Sequence, residues 1–279
     1  MEQYTLIGHP LGHSMSPFIH ERLFDMAGRE ASYTLTDIAP EHLAGEEPFL
    51  RSLQGFNITI PHKMAVIPMV DEMDDSAKRY NSVNCVANKD GKLVGYNTDC
   101  DGFTMSVKDY PMDGKVLLIG CGGVGRMIAT EALRSGADLT IGIIPQDKEL
   151  VEAFLAETTE TMPDAKVQYR LTAEIHEKFD VIINASPVGM FPKVDACPVP
   201  DELIDQADYF FDVIYNPTKT LFLRKALAQG KVAKGGAAML VLQAVRAHEI
   251  WNGDSYTQEQ IDSIIHDMEE TIDAQNTGK

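Results

Sequence analysis

A lysine and an aspartate in two separate polar segments could together handle a proton. Lys63 ends the alternating segment "GFNITIPHK" (55–63), and Asp99 lies in the Asn/Asp-rich segment "GYNTDCDG" (95–102). An unperturbed lysine has a pKa of about 10.4, so it is a poor base near neutral pH but a good proton donor. The two residues are therefore candidates for moving a proton at a binding site. Taken singly, a surface lysine and a turn aspartate would be the simpler explanations.

A glycine-rich segment predicts a dinucleotide site. "GCGGVG" (120–125) fits the pattern G-x-G-x-x-G and stands between a buried-strand pattern, "KVLLIG", and a helical pattern. In that context the glycines allow a tight turn and close approach of a pyrophosphate, which the helix N-terminus stabilises. Cys121 fits as a small filler of the turn.

The choice between NAD and NADP stays open at this point. An acid that binds the ribose of NAD, or an arginine that binds the phosphate of NADP, is expected about 20 residues after the glycines. Residues 142–148 read "GIIPQDK", so Asp147 and Lys148 stand slightly late and favour opposite cofactors. Arg126, at the start of the helix, could stack on adenine or contact a phosphate.

Several neutral polar residues along the chain, taken together with Lys63 and Asp99, predict a substrate rich in hydroxyl groups. Ser14 and Ser16 flank a loop that leads into a helix N-terminus, which favours an anion. Asn84 and Gln243 alone are better explained as buried amides bonded to the backbone, and Ser16 alone as a helix cap. Beside a dinucleotide site, the whole set predicts a site for a small polyhydroxylated acid.

The elements that must position these residues follow from hydrophobic periodicity. The period of two in 55–63 predicts a strand with Phe56, Ile58 and Ile60 packed inward and Asn57 and Thr59 on the other face. Residues 4–8 predict a strand, and residues 16–28 a helix with Ser16 as N-cap and Gly28 as the stop. Residues 82–97 predict a hairpin that turns at residues 90 and 91. From residue 114, alternating strands and helices predict a doubly wound parallel sheet.

Composition limits the class of protein. The 279 residues are 44% hydrophobic and 24% charged, with a net charge of −18, which is unfavourable for binding nucleic acid or anionic membranes. No run is long enough to span a bilayer, and the N-terminus lacks the pattern of a signal peptide. The four scattered cysteines predict neither disulfides nor a metal site and suit the cytoplasm.

The motifs resemble those of the shikimate dehydrogenase family almost from end to end. "GHPLGHSMSP" resembles its carboxylate loop, "GFNITIPHK" its catalytic-lysine strand, "NSVNCV" its asparagine motif and "GYNTDCDG" its catalytic-aspartate loop. "GCGGVGR" resembles the cofactor loop and "NASPVGM" the segment near the nicotinamide. "DVIYNPTKTLFL" and "GGAAMLVLQA" resemble the tyrosine and glutamine motifs.

The resemblance implies an α/β enzyme of two domains. A substrate domain with a mostly parallel sheet would contain residues 1–101 and be completed by helices in 237–279, and residues 102–236 would form a Rossmann NAD(P)-binding domain. The implied reaction is the reversible NAD(P)-dependent reduction of 3-dehydroshikimate to shikimate. No metal, nucleic acid or membrane partner is implied, and a homodimer is left open.

The resemblance also assigns roles to residues. Lys63 and Asp99 would be the catalytic pair. Lys63 would either become a base through desolvation on domain closure or, as we favour, act as an ammonium that stabilises the developing alkoxide and donates the proton to the ketone, with Asp99 orienting the ammonium and the substrate hydroxyl. The substrate would contact Ser14, Ser16, Asn57, Thr59, Asn84, Tyr215 and Gln243. The cofactor would contact Gly120, Gly122, Gly123, Val124, Gly125, Arg126, Ser186, Val213 and Gly236.

One stretch departs from the family pattern. NADP-dependent members usually have Asn-Arg-Thr at the end of the second Rossmann strand, whereas this chain has Ile143, Ile144 and Pro145. The missing arginine predicts weak discrimination between the two cofactors or a preference for NAD.

Three alternatives compete with a shikimate dehydrogenase. A quinate or aminoshikimate dehydrogenase would share every motif. A non-catalytic NAD(P) sensor would need neither Lys63 nor Asp99, so their presence argues against it. A folate-type dehydrogenase would need an aromatic-lined cleft, whereas the predicted site residues are small hydroxyl and amide groups.

Overall fold

The computed structural model describes the backbone of residues 1–12 and 14–277. His13, which lies in the predicted carboxylate loop, and the last two residues of the predicted 237–279 segment lie outside the described residues. In the part of the chain that is described, no helix is both long enough and apolar enough to cross a membrane.

The chain divides into two compact units. The first unit contains Met1–Gly102 and Leu240–Met268, and the second contains Phe103–Met239 and the residues from Glu269 onward. Each unit has its own sheet of six strands.

Strands and helices follow one another in both units. The strands are β1 (Glu2–Gly8), β2 (Ala31–Asp37), β3 (Gly55–Ile58), β4 (Glu72–Met73), β5 (Cys85–Lys89), β6 (Lys92–Tyr96), β7 (Lys115–Ile119), β8 (Asp138–Ile143), β9 (Lys166–Leu171), β10 (Val181–Asn184), β11 (Tyr209–Asp212) and β12 (Val232–Lys234). The helices are α1 (Ser16–Met26), α2 (Glu47–Ser52), α3 (His62–Ala65), α4 (Asp75–Tyr80), α5 (Asp99–Ser106), α6 (Gly123–Arg134), α7 (Lys148–Thr161), α8 (Asp201–Gln206), α9 (Leu221–Ala228), α10 (Gly236–Asn252) and α11 (Gln258–Thr277). Short 3-10 helices cover Pro40–Glu46, Ile67–Met69, Pro145–Asp147 and Thr172–Glu174.

The sheet of the first unit has the order β2-β1-β3-β5-β6-β4. Strands β2 and β3 pair in parallel with β1, and β4 pairs in parallel with β6, whereas β5 pairs antiparallel with both of its neighbours. The β5–β6 hairpin turns at Asp90 and Gly91, which both have positive φ, 53° and 88°. This is the geometry of a two-residue hairpin turn, so the predicted hairpin is confirmed. The predicted mostly parallel sheet is also confirmed, because three of its five strand pairs are parallel.

Burial of apolar side chains explains why β1 and β3 lie inside the sheet. Ile7, Phe56 and Ile58 belong to one buried cluster, and Tyr4 and Leu6 of β1 belong to another. Residues 4–8 of β1 are all buried, as expected for a strand that is covered on both faces.

The prediction that Ile60 packs inward is wrong. Phe56 and Ile58 are buried as predicted, but 74% of Ile60 is exposed. Strand β3 ends at Ile58, so the alternation between faces stops there, and Ile60 lies in the turn before α3, where no sheet face covers it.

The predicted N-cap of α1 is also wrong by one residue. Ser16 is the first helical residue and Met15 occupies the N-cap position, without a side-chain hydrogen bond. Met15 already has helical backbone angles, and its carbonyl accepts the first helical hydrogen bond, from the Ile19 N–H. The predicted stop is confirmed, because the helix ends at Met26 and Gly28 has φ 65°.

The second unit contains an entirely parallel sheet of order β12-β11-β10-β7-β8-β9. The first strand of this unit, β7, lies in the middle of the sheet. Strands β8 and β9 follow on one side of it and β10, β11 and β12 on the other, which is the strand order of the Rossmann fold. The predicted doubly wound sheet is confirmed. The reversal lies between β7 and β10, and in such sheets ligands bind beyond the carboxyl ends of the strands there. Leu117, Ile182 and Phe210 of three adjacent strands pack with Phe222 of α9 in the core on one face.

Candidate functional site

Lys63 and Asp99 form an ion pair in the first unit. Lys63 Nζ donates to Asp99 Oδ2 across 2.7 Å, and the two side chains are only 26% and 13% exposed. Partial burial strengthens such a pair relative to a surface pair, because water screens it less. The two residues that were predicted to share a proton-handling role therefore do lie together.

Short turns after two strands position this pair. Lys63 lies on the four-residue helix α3, which His62 anchors through a 2.6 Å contact of Nε2 with the Ile38 carbonyl. Asp99 is the first residue of α5, where a negative charge interacts favourably with the helix dipole. Asn97 Oδ1 accepts from the Asp99 backbone N–H at 3.1 Å and so holds the start of α5.

Two amides lie in the same unit and contact each other. Asn84 Oδ1 accepts from the Thr98 backbone N–H at 2.7 Å, which orients the amide so that its nitrogen donates to Gln243 Oε1 at 3.4 Å. The Val83 N–H, one residue before Asn84, donates to the Lys63 carbonyl at 2.8 Å. The structure thus brings Asn84 and Gln243, which are 159 residues apart, next to the segment of Lys63.

Asn57 is 9% exposed and is held by protein partners. Its Oδ1 accepts from the Tyr33 hydroxyl at 2.8 Å, and its Nδ2 donates to the Asn84 carbonyl at 3.2 Å. Each amide atom still has one hydrogen-bonding position left. Thr59 follows the end of β3 and is partly buried, and its methyl group packs against Gly8, where a Cβ would come within 2.5 Å of it.

The two serines of the N-terminal loop are partly buried and contact each other. The Ser16 backbone N–H donates to Ser14 Oγ at 3.2 Å. Burial raises the pKa of the Tyr33 hydroxyl well above its usual value, and Ser16 partly offsets that rise. Tyr215 belongs to the second unit, and burial raises the pKa of its hydroxyl.

The glycine loop of the second unit has the properties that a dinucleotide site needs. Gly120 has φ 94°, and a Cβ at Gly125 would lie 2.6 Å from the Gly120 carbonyl oxygen, so both positions require glycine. At Gly122 and Gly123 a Cβ would meet no protein atom within 4 Å. Protein packing does not explain these two glycines, whereas close approach of a phosphate to the backbone does.

Helix α6 begins directly at this loop. Its N-cap is Gly122, which offers no side-chain cap, and the N–H groups of the first turn point out of the helix end. Such an end binds phosphate groups. Val124 in this turn is 38% exposed, and burial raises the pKa of the neighbouring Cys121 thiol to about 11.

The region that would select the cofactor is largely apolar. Ile143 is buried at the end of β8, and the next residue, Ile144, is 56% exposed. Lys148 Nζ lies 3.8 Å from Glu152 Oε1, and Arg126 Nη2 lies 2.5 Å from Glu157 Oε2. Both cations that the sequence offers for a phosphate therefore already pair with carboxylates of α7.

The remaining predicted cofactor residues lie close together after β10 and β11. Ser186 Oγ donates to Asn184 Oδ1 at 2.7 Å, and the Val213 N–H donates to the Asn184 carbonyl at 3.0 Å. Gly236 lies directly against the Val213 carbonyl, where a Cβ would overlap it.

Residues that the sequence reasoning missed support the predicted ones. Tyr33, Asn97, Thr98, Asn184 and Asp212 make the hydrogen bonds that orient them. Asn184 and Asp212 could have been noticed, because each is a polar residue at the end of an apolar parallel strand. Tyr33 left no such signal, since a tyrosine is an ordinary residue in a strand.

Comparison with known proteins places these features in a family. Residues 6–86 match the family model described as the shikimate dehydrogenase substrate binding domain. A shikimate dehydrogenase (NADP(+)) of Caldanaerobacter subterraneus is 37% identical over 265 residues, which cover 92% of this chain and 93% of that protein.

Solved structures are similar to this chain over nearly its whole length. A shikimate 5-dehydrogenase of Thermus thermophilus, in complex with NADP(H) and shikimate, has a TM-score of 0.82 at 29% identity, covering 96% of this chain and 100% of that one. A shikimate 5-dehydrogenase of Listeria monocytogenes, in complex with shikimate and NAD, has a TM-score of 0.84 at 28% identity, covering 95% and 96% of the two chains.

The Rossmann sheet with its glycine loop and the partly buried Lys63–Asp99 pair define a nicotinamide-dependent α/β oxidoreductase. Within that class, the chain belongs to the shikimate dehydrogenase family.

Proposed function

We propose that this protein catalyses the reversible reduction of 3-dehydroshikimate to shikimate with a nicotinamide dinucleotide. The observation that carries the proposal is the 2.7 Å Lys63–Asp99 ion pair, in the same unit as the contacting amides of Asn84 and Gln243. A cation and a set of neutral hydrogen-bonding groups suit a substrate with one reacting oxygen and several hydroxyls. The names of the relatives support the same substrate.

Lys63 is the proton donor in this proposal. The dinucleotide, when bound, supplies or removes the hydride. As the ketone is reduced, negative charge develops on its oxygen, and the Lys63 ammonium stabilises that charge and gives a proton to the oxygen. Asp99 accepts a hydrogen bond from Lys63 Nζ and so fixes the direction of the ammonium. In the oxidation direction the same steps run backwards.

The other roles are assigned by chemistry. Asn57, Thr59, Asn84 and Gln243 would bind substrate hydroxyls, and Ser14, Ser16 and Tyr215 would bind its carboxylate. The N-terminus of α1, whose first residue is Ser16, favours an anion there. The first unit would be the substrate domain and the second the nucleotide domain. The cofactor would contact Gly120, Gly122, Gly123, Val124, Gly125, Arg126, Ser186, Val213 and Gly236.

The proposed cofactor preference is weak or in favour of NAD. The relatives are named for NADP(+), but the exposed side chain at the end of β8 is Ile144, which cannot pair with a 2′-phosphate. Arg126 and Lys148 already pair with Glu157 and Glu152. The Listeria structure, which holds NAD, supports use of that cofactor within this fold. Comparison of kcat/KM for the two cofactors tests the preference, and an NADP preference above about tenfold would refute it.

Substitution of Lys63 tests the catalytic assignment. Lys63→Ala is expected to lower kcat by roughly 10²–10⁴-fold with little change in the KM of shikimate, because a proton donor acts in the transition state. Lys92→Ala is the matched control, since Lys92 is in the same unit but forms an exposed surface pair with Glu72. An effect of Lys63→Ala on KM alone would exclude the proposed role.

A substrate panel tests the choice of polyol. Shikimate, quinate and aminoshikimate would each be assayed with NAD and with NADP. We expect the highest kcat/KM with shikimate. A higher kcat/KM with quinate or aminoshikimate would identify that compound as the substrate in place of shikimate. No activity with any of the three would favour a non-catalytic NAD(P) sensor.

A further inference from the structure

A buried pair of polar residues joins the carboxyl ends of two strands in the second unit. Asn184 ends β10 and Asp212 ends β11, and they are partners in the parallel register. Both are 0% exposed, and Asn184 Nδ2 donates to Asp212 Oδ1 at 3.1 Å. Neither residue belongs to the proton-handling pair or to the glycine loop.

The Asn184 side chain makes four hydrogen bonds, so its amide has no capacity left for a ligand. Its Oδ1 accepts from the backbone N–H and the hydroxyl of Ser186, at 3.1 and 2.7 Å. Its Nδ2 donates to the Val188 carbonyl at 3.2 Å as well as to Asp212. The amide therefore fixes the shape of the segment 186–188 that follows β10.

Asp212 fixes the segment that follows β11 in the same way. Its Oδ1 also accepts from the Ile214 N–H at 3.1 Å, and its Oδ2 accepts from the Thr220 hydroxyl at 2.7 Å. Hydrogen bonds to a carboxylate are about twice as strong as those between neutral groups. One buried charge thus orders Ile214 directly and Ser186 through Asn184.

The segment after β10 lies beside the glycine loop, and the segment after β11 lies next to it, because the Val213 N–H donates to the Asn184 carbonyl. A Cβ at Gly120 would lie 3.1 Å from the Ala185 carbonyl oxygen, and Ala185 is the residue between Asn184 and Ser186. Strand β10 pairs with β7 at the point where the strand order reverses. Ligands of parallel α/β sheets bind at this edge, so the ordered segments border the dinucleotide site.

We propose that Asp212 is a positioning residue for the nicotinamide half of the dinucleotide, acting through Asn184 on Ser186 and through Ile214 on the segment after β11. The inference rests on the proposed function, since it presupposes that a dinucleotide binds at this edge. Asp212 itself does not touch the ligand.

The charge on Asp212 makes this positioning sensitive to pH. Burial raises the pKa of the Asp212 carboxyl to about 6. Among the described residues, the thiol of Cys197 interacts electrostatically with Asp212. Burial raises the pKa of that thiol, so it stays neutral. When Asp212 is protonated, Thr220 can reverse its hydrogen bond, but the bonds from Asn184 and Ile214 lose the strength that the charge gives them.

Binding measurements on three variants test the proposal. NADH and ADP-ribose, which lacks the nicotinamide, would be titrated against the full-length protein at pH 7.5 and 5.5. Asp212→Asn is expected to weaken NADH binding about fivefold and to leave ADP-ribose binding within about twofold, because charge-assisted bonds become neutral ones only beside the nicotinamide half. Asp180→Asn is the matched control. Asp180 accepts a hydrogen bond from the Lys115 N–H at the amino ends of the strands, whereas Asp212 lies at their carboxyl ends.

The pH dependence gives a second readout that loss of folding would not mimic. In the wild type, NADH binding should weaken as the pH falls through about 6, and Asp212→Asn should lack this dependence. Thr220→Val should move the midpoint upward, because the Thr220 hydrogen bond favours the charged form. Unchanged NADH binding in Asp212→Asn, or equal weakening of NADH and ADP-ribose, would overturn the inference. Failure of the wild type to bind either ligand would overturn the proposed function, and the inference with it.

Discussion

The Tyr33 hydroxyl donates a 2.8 Å hydrogen bond to Asn57 Oδ1 and thereby determines which way the Asn57 amide points. The nitrogen of that amide then faces the Asn84 carbonyl. Tyr33 is itself held in place, because its ring stacks on His20 at 4.0 Å between ring centroids and 5° between planes. A predicted substrate-binding amide is thus oriented by a residue 24 positions away in the sequence.

Removal of this hydroxyl should weaken substrate binding. Tyr33→Phe is expected to raise the KM of shikimate about fivefold, with kcat nearly unchanged, because the lost hydrogen bond orients a binding group and not the Lys63–Asp99 pair. Tyr110→Phe is the control, since its hydroxyl bonds the Phe210 carbonyl at 2.9 Å inside the second unit. Steady-state kinetics would decide, and a KM equal to that of the control would contradict the expectation.

Acid should destabilise the first unit through two buried histidines. His20 Nδ1 lies 3.0 Å from His248 Nε2, and burial lowers the pKa of His248 to about 4 and that of His20 well below its usual value. In the unfolded chain these two imidazoles bind protons as the pH falls through about 6.5, whereas in the folded protein they stay neutral. Their contribution to the free energy of unfolding is therefore fully present above pH 6.5 and is lost as the pH falls toward 4. For His248 we expect a loss of about 2 kcal/mol between pH 7.5 and 5, and His20 acts in the same direction.

Chemical denaturation at several pH values would measure this effect. His248→Phe should have a flatter dependence of the free energy of unfolding on pH than the wild type. His42→Gln, which replaces an exposed histidine, should keep the wild-type slope. Equal slopes in the wild type and in His248→Phe would show that His248 does not sense pH.

A methyl group at residue 236 should disturb the packing of two segments of the second unit. Gly236→Ala places a Cβ where the Val213 carbonyl lies, so the backbone must move. We expect a loss of at least about 2 kcal/mol in the free energy of unfolding. Gly45→Ala is the control, because a Cβ there meets no atom within 4 Å. A stability of Gly236→Ala equal to that of the control would contradict the packing.

An arginine at residue 144 should increase the use of NADP. Ile144 is 56% exposed, so a longer side chain fits without repacking, and a guanidinium binds a phosphate through two hydrogen bonds. Ile144→Arg is expected to raise kcat/KM for NADP by about tenfold and to change that for NAD little. Leu227→Arg adds the same charge on α9, where the side chain is 43% exposed, and should have no such effect. An equal gain in both variants would indicate a general effect of charge.

Local patterns were sufficient for most of the fold. The hairpin at Asp90 and Gly91 follows from the turn chemistry of those two residues, and the Rossmann order follows from the alternation of strands and helices after residue 114. The prediction from hydrophobic alternation was wrong where the strand ended before the alternation did. Ile60 continues the alternation of β3 in sequence but not in the ladder, which ends at Ile58.

The sequence by itself determined which residues could do chemistry: one lysine, one aspartate, a set of neutral polar side chains and a glycine loop before a helix. Only the tertiary structure decided which of them are held, and by what. Asn57 depends on Tyr33, Asn84 meets Gln243 across 159 residues, and Asn184 meets Asp212 through the register of parallel strands. Periodicity reports the face of a strand, but a hydrogen-bond partner depends on how distant strands and helices pack, and no local pattern records that.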